Sequence, residues 1–478
     1  MTAETIFKGP TLGVRHLQAF LMFLSIVVNY VAKFNISVAV VAMTDSASAN
    51  PNFDEYDWTI AEKSYILSSF FWGYAITQFP GGYLCRYIGA KWTMLISTVG
   101  SAVFAIVTPP LIPIGGWKLF CAIRVVQGLF QGFLFPAIHA HLAKWAPVEE
   151  RNRLGALSNT GIECGTLLAM SISGVIASSS MGWPGISYVS GGIGLIWCVI
   201  WVIFASDTPA ESRFISESEK NFIMASLNQQ QKGTIVKSIP VPWKAMLSSL
   251  PFWALLVARC AEAWGLSTLQ TQIPSYMSGV LLMDIKSNAL YSSLPYLAMW
   301  IMSFVYLISS EVILKKDWLS LTALRRTFNS IACWIPALGL VGIGFLGEKH
   351  KTLAIILMTV TVGLNSAATI GSALNTIDLS PNHAGVIMGI VNSAANCVPI
   401  ITPLLVGVIV VDSHARTEWQ VVFIISAVVF FFGNLFYIVF GSTDLQPWND
   451  ENFLLSNKGI IYSKPTKPEI VVVSSNIN

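Results

Sequence analysis

Lys33 stands inside the apolar run from Ser25 to Met43. A charge held in hydrocarbon costs about 2.5 kcal/mol or more and is kept where it has a partner or a task. Asn29, Lys33 and Ser37 recur every four residues, which on a helix sets them on one face. That stripe fits an ammonium lining a watery cavity, where it would bind an anion. A second stripe follows in Arg124, Gln127 and Gln131, at offsets of three and four, with His139 expected on the same broad face. The Arg124 fork suits a carboxylate or phosphate, whereas Lys33 offers a compact point charge. Together with Asn29 they are expected to hold the anion. The competing reading of Arg124 is structural, a pairing with a helix end or a carboxylate.

Coupling anion movement to a cation needs a group whose charge can be neutralised inside the cavity. Gln131 cannot titrate, but Glu163 lies within the apolar stretch 155–178, aligned with Asn159 and Thr166. Glu163 is expected to serve as a sodium ligand with neighbouring hydroxyls or as a proton carrier; its rival role is a salt bridge to Lys33 or Arg124. Arg259 and Glu262 stand three apart and are expected to form an intrahelical pair, with a gate as the alternative. His139 reads as a structural histidine with a pH sensor as the rival. Asp378 and Pro381 read as a helix cap.

The elements that must position these groups are apolar helices. Of the 478 residues 54% are hydrophobic and only 11% charged, far below the soluble average of about 25%. About twelve stretches are long enough to span a bilayer: 17–43, 64–84, 92–112, 117–141, 155–178, 186–206, 251–280, 289–310, 327–346, 352–374, 383–411 and 419–440. Their length and lack of alternation exclude a β-barrel. About nineteen Lys and Arg fall on the amino-terminal side of these spans and about six on the other, which predicts cytoplasmic termini. The net charge of +3 records that asymmetry and implies no nucleic acid. Seven cysteines, mostly in or beside spans, read as small core residues, with no metal-ligand spacing.

The longest polar connection, 207–250, divides the chain six plus six: a cytoplasmic start at 1–16, one bundle over 17–206, a cytoplasmic central loop, a second bundle over 251–440, and a polar tail over 441–478 expected to lack structure. A weak repeat agrees, Pro147 preceding Gly155 and Pro381 preceding Gly389 by eight residues each. The only glycosylation-type triplet, Asn35-Ile36-Ser37, falls within the first span and should be unmodified. Asp450 to Leu455 looks like an acidic dileucine sorting string.

Several segments carry a family resemblance: Phe71 through Gly82, Arg124 to Gly128, Phe135-Pro136 to Trp145-Ala146-Pro147, Glu150-Arg151, Gly182-Trp183-Pro184, and Asp378 through Pro381 and Gly389 to Asn392. Together they resemble the anion:cation symporters of the major facilitator superfamily, which include sodium-phosphate cotransporters, sialin and the vesicular glutamate transporters. The resemblance implies an all-α membrane protein of twelve transmembrane helices in two six-helix bundles, with a central site and alternating access. It also matches Lys33 and Arg124 to the family's basic residues in spans one and four, the first usually Arg. Proton-coupled relatives resemble one another in a span-four Glu where this chain has Gln131. Glutamate transporters have an Arg where Glu262 stands and a His where Leu67 stands; sialin-like members have a Tyr where Ser267 stands. These departures turn the pattern toward the sodium-phosphate branch.

The expected function is therefore secondary active transport of a small anion, inorganic phosphate or an organic anion, with Na+ or H+ as coupling ion and no other cofactor. Membrane lipid is the expected surrounding, with no nucleic acid and no obligate protein partner; the membrane is the plasma membrane or an endolysosomal one. An uncoupled facilitator or exchanger is the near rival, and an anion-sensing receptor a distant one, because neither central loop nor tail reads as a signalling domain. No phosphate-cradling loop or paired histidines point to an enzyme.

Overall fold

The computed structural model describes residues 10–47, 49–147, 149–233, 241–450 and 453, and among them it contains helices and no strands. The helices are α1 (Val14–Thr44), α2 (Ile60–Ile88), α3 (Ala90–Gln131), α4 (Leu134–Trp145), α5 (Arg151–Asn159), α6 (Gly161–Ala177) and α7 (Gly182–Phe204) in the first half. Next come α8 (Glu217–Gly233) and α9 (Trp243–Leu247), and then α10 (Leu250–Gly279), α11 (Ile285–Lys315), α12 (Leu321–Gly344), α13 (Lys351–Asn365), α14 (Asn375–Leu379), α15 (Ala384–Ile409) and α16 (Arg416–Phe440). Nine described segments are long and apolar enough to cross a membrane. The longest, Ala90–Trp145, makes two crossings, because Gly116 takes a non-helical φ of 57° and folds α3 back on itself. Phe104 then stacks on Phe130, with ring centroids 6.0 Å apart. α2 and α10 match the others in length but carry more polar residues, and with them the twelve expected crossings are complete.

Small residues set the helix spacing, as they do where lipid supplies no hydrophobic drive between helices. Gly128 and Gly132 lie against the α2 backbone at Phe70 and Tyr74, where an added Cβ would stand 2.8 Å from Tyr74 N. Gly161 and Gly165 do the same for α6 on α1; a Cβ at Gly165 would meet Tyr30 Cβ at 2.7 Å. The two bundles meet along α2 with α15 and α6 with α11. Ser68 Oγ donates to Ile400 O at 2.6 Å and Asn396 Nδ2 to Gln78 Oε1 at 2.9 Å across the first seam.

On the face that carries the termini, α8 of the central connection docks on the first bundle. Glu219 caps α1 by accepting from Val14 N at 2.9 Å and Arg15 N at 3.1 Å, and it also pairs with the Arg15 guanidinium at 3.0 Å. Arg15 reaches Glu150 at 2.6 Å through Nε, tying in the loop before α5. That hydrogen bond to Arg15 holds the Glu150 carboxyl below the usual carboxylate range. A lowered carboxyl stabilises the fold fully above its unfolded pKa and loses that contribution as pH falls. Glu219→Ala leaves two helix-start amides uncapped and a buried guanidinium half-paired, so about 1–3 kcal/mol of stability should be lost. Thermal unfolding in detergent reads it as a lower midpoint at neutral pH; an unchanged midpoint would show that α8 contributes nothing there.

Lys144 and Asp207 pair on the same face, and Asp207 accepts from Lys91 N at 3.1 Å at the start of α3. The tail departs from expectation at its beginning: Pro447–Asn449 form a short 3-10 helix and Trp448 is 3% exposed, packed with Phe252 and Leu379, because a large apolar ring gains more from burial than its polar neighbours lose. The rest of the tail, including the dileucine string, lies outside the described residues apart from Phe453.

Candidate functional site

Rings of α1 itself and of α2 surround Lys33. Its Nζ lies 4.7 Å from the Tyr74 ring centroid, 4.9 Å from Phe71, 5.1 Å from Tyr30 and Phe34, and 5.5 Å from Phe70. Each ring face attracts the cation, but none supplies a negative charge. Lys33 is 7% exposed, and among the described residues no carboxylate pairs with it.

Arg124 is beside it and differently engaged. Its two terminal nitrogens donate to Ala32 O at 3.2 Å and Lys33 O at 3.0 Å, and to Gln127 Oε1 at 3.1 Å. The guanidinium sits 4.8 Å over the Phe70 ring, and buried Nε has no partner. Arg124 therefore holds α1 through backbone carbonyls and leaves one donor uncommitted. Gln131 donates to Ser101 Oγ at 2.7 Å and Asn29 O at 3.2 Å. Asn29 directs its amide donor to Ser25 O and Thr98 Oγ1, so it orders the bundle and its remaining oxygen is an acceptor, the wrong polarity for an anion.

Glu163, half-buried on α6, has no cation within ion-pair distance among the described residues, so the expected alternative of a bridge to Lys33 or Arg124 is not formed. It lies two residues from Gly165, whose contact with Tyr30 brings α6 against the aromatic surround of Lys33. The Thr166 hydroxyl donates to Ile162 O at 2.8 Å, and Asn159 is exposed.

His139 leaves the stripe expected of it. His139, on α4 beyond the turn at Gly132 and Phe133, is exposed, while Arg124, Gln127 and Gln131 are buried. The buried histidine is His141, paired with Gln18 Oε1 at 3.1 Å.

The second bundle holds its own polar centre. Arg259 donates to Glu262 at 2.6 Å within α10, and Ser372 Oγ donates to the other Glu262 oxygen at 2.5 Å. Ser372 belongs to a π-helical turn, Thr369–Ala373, forced where Gly371 meets the Asn329 backbone. Sequence reasoning missed this turn and also the Arg325–Asp378 pair at 2.8 Å. Asp378 thus ties α14 to α12 instead of capping the next helix, since its oxygens are nearer a guanidinium than free amides.

The Major Facilitator Superfamily sequence profile matches residues 22–394. A Drosophila ananassae protein named "Putative inorganic phosphate cotransporter" is 37% identical over 473 residues, covering 94% of this chain and 97% of that relative. Human sialin is 33% identical over 91% of this chain and 90% of its own length. Vesicular glutamate transporter 1 of Xenopus tropicalis is 30% identical over 91% and 76%. Among solved structures, a bacterial homolog of the human lysosomal transporter Spinster superimposes with a TM-score of 0.68 at 12% identity, over 92% of this chain and all of that one. The D-xylose-proton symporter superimposes with a TM-score of 0.64 at 14% identity, over 86% and 96%.

Proposed function

Since the chain belongs to the Major Facilitator Superfamily, within its anion:cation symporters, we propose that it carries an anion by alternating access with the Lys33 ammonium as the principal counter-charge. It is a multi-pass membrane transporter and not an enzyme. The carrying observation is Lys33 itself: a buried ammonium ringed by five aromatic groups and, among the described residues, paired with no carboxylate. Rings lower the cost of keeping it there, and an arriving anion supplies the missing charge. Arg124, whose terminal nitrogens hold α1, acts chiefly by fixing the backbone on either side of Lys33, with Nε its one uncommitted donor.

Inorganic phosphate is the first cargo to test and an organic anion the second. A single point charge favours recognition by charge over two-pronged recognition of a planar carboxylate. Glu163 supports a coupled mechanism over a facilitator, because a carboxylate free of a salt bridge can take up Na+ or H+. The Lys and Arg asymmetry supports cytoplasmic termini, in a plasma or endolysosomal membrane.

The test is radiolabelled phosphate uptake into proteoliposomes with and without an inward sodium gradient. Gradient-stimulated uptake several times that of protein-free vesicles is expected. Uptake no greater than in empty vesicles, with folded protein, would remove phosphate and move the search to organic anions under a proton gradient.

A further inference from the structure

At the face opposite the termini, α1 and α2 of one bundle and α10, the turn before α11 and the start of α16 with the turn before it enclose a cavity of about 540 Å3. That volume is in the range of small-molecule sites. Val41 in its lining lies eight residues beyond Lys33 on α1, about 12 Å along the helix, so the cavity is separate from the aromatic surround.

The polar groups of this lining divide by role. Its acceptors have partners: Asp45 accepts from Ser278 Oγ at 3.5 Å, and Asp284 caps α11 by accepting from Ser287 N at 3.0 Å. His414 Nδ1 is paired with Gly279 O at 2.8 Å. The hydroxyls of Thr44 and Ser278 and the Trp419 indole are spent on partners of their own, and two donors are uncommitted. Gln272 is 3% exposed and its Nε2 has no hydrogen-bond partner. Lys63 makes no ion pair within 4.0 Å among the described residues, although Asp45, Glu55 and Asp57 are its charged neighbours. A buried donor left without an acceptor costs free energy, as for Gln272 Nε2, and the Gln272 and Lys63 side chains both line this cavity.

We propose that this vestibule is a second binding site, for a small monocarboxylate whose oxygens accept from Gln272 Nε2 and Lys63 Nζ. The uncommitted groups are donors, so the ligand must bring acceptors. The surrounding acids, Asp45, Glu55, Asp57 and Asp284, disfavour a second negative charge, which selects a monoanion over a dianion. Lys63 belongs to α2 and Gln272 to α10, so the carboxylate bridges the two bundles at this face. It binds best to the conformation closed there and slows exchange to the open one.

The test titrates sodium lactate calorimetrically into the wild type, into Lys33→Ala protein, which lacks the central ammonium, and into the Lys33→Ala protein carrying Gln272→Leu, Lys63→Met or Lys63→Arg. Lactate should bind the Lys33→Ala protein in the millimolar range, tenfold or more weaker with Gln272→Leu or Lys63→Met, and be recovered with Lys63→Arg. Thermal unfolding of each variant separates a lost site from a lost fold. Lactate binding that disappears with Lys33→Ala, that is unchanged by both vestibule substitutions, or that is absent from the wild type overturns the proposal. Because binding and not uptake is read, failure of anion transport leaves this result intact.

Discussion

Lys33→Met should lower anion uptake by about one to two orders of magnitude and at the same time raise the thermal unfolding midpoint. The first effect follows from losing a charge-assisted contact of about 1.5–3 kcal/mol with the cargo, which converts to roughly 10- to 150-fold. The second follows from the balance at the site. An unpaired ammonium in the bilayer interior costs about 2.5 kcal/mol or more, and cation–π attraction returns about 0.5–2 kcal/mol. Five rings within 5.5 Å narrow the deficit, but no carboxylate closes it. Methionine keeps the length and apolar contacts of the stem and removes the deficit. Initial rates in proteoliposomes and unfolding in detergent, made on one preparation, test both parts. Uptake within twofold of wild type would remove Lys33 from the substrate path. A lower midpoint with lost uptake would make Lys33 a structural residue, its ammonium held by the rings alone.

Lys33 was legible because a lone cation interrupts an apolar run, a signal that needs no knowledge of what packs beside it. Its surround was not. Phe70, Phe71 and Tyr74 read as ordinary apolar residues of the second span, and it takes the tertiary approach of α2 to α1 to set them around Lys33. The Arg259–Glu262 contact is local and followed from spacing; Arg325–Asp378, 53 positions apart, had no local signature. His139 shows the limit of periodicity: helical spacing groups residues by angle but does not say which of them a neighbouring helix covers, and His139 is exposed where Arg124, Gln127 and Gln131 are buried. Composition misjudged the beginning of the tail because one Trp outweighs the polar residues around it. The spans were legible because length and hydropathy mark most of them without tertiary contacts, while α2 and α10, more polar, fall short of that mark and are carried by their length.

Glu163→Gln should abolish the stimulation of uptake by a cation gradient while leaving exchange of internal for external anion intact. Glutamine keeps the size of the side chain and its hydrogen-bonding oxygen, but it can neither titrate nor balance a sodium ion, so the substitution isolates charge. Among the described residues inside the spans, Glu163 is the carboxylate with no ion-pair partner. Glu262 is held by Arg259 and Ser372, Asp378 by Arg325, and Gln131 is neutral. Glu163 has no such cation, and its helix packs on α1 at Gly165 against Tyr30, whose ring centroid is 5.1 Å from Lys33 Nζ. A cation arriving at Glu163 thus changes the field beside the anion's counter-charge, which is the linkage that symport requires. Net uptake under opposed sodium and proton gradients, compared with counterflow in their absence, separates coupling from binding. Loss of both would mean that Glu163 supports the fold or the anion site. Retention of full gradient stimulation would exclude Glu163 from coupling and return the role to Glu262, which would then have to release Arg259 during the cycle.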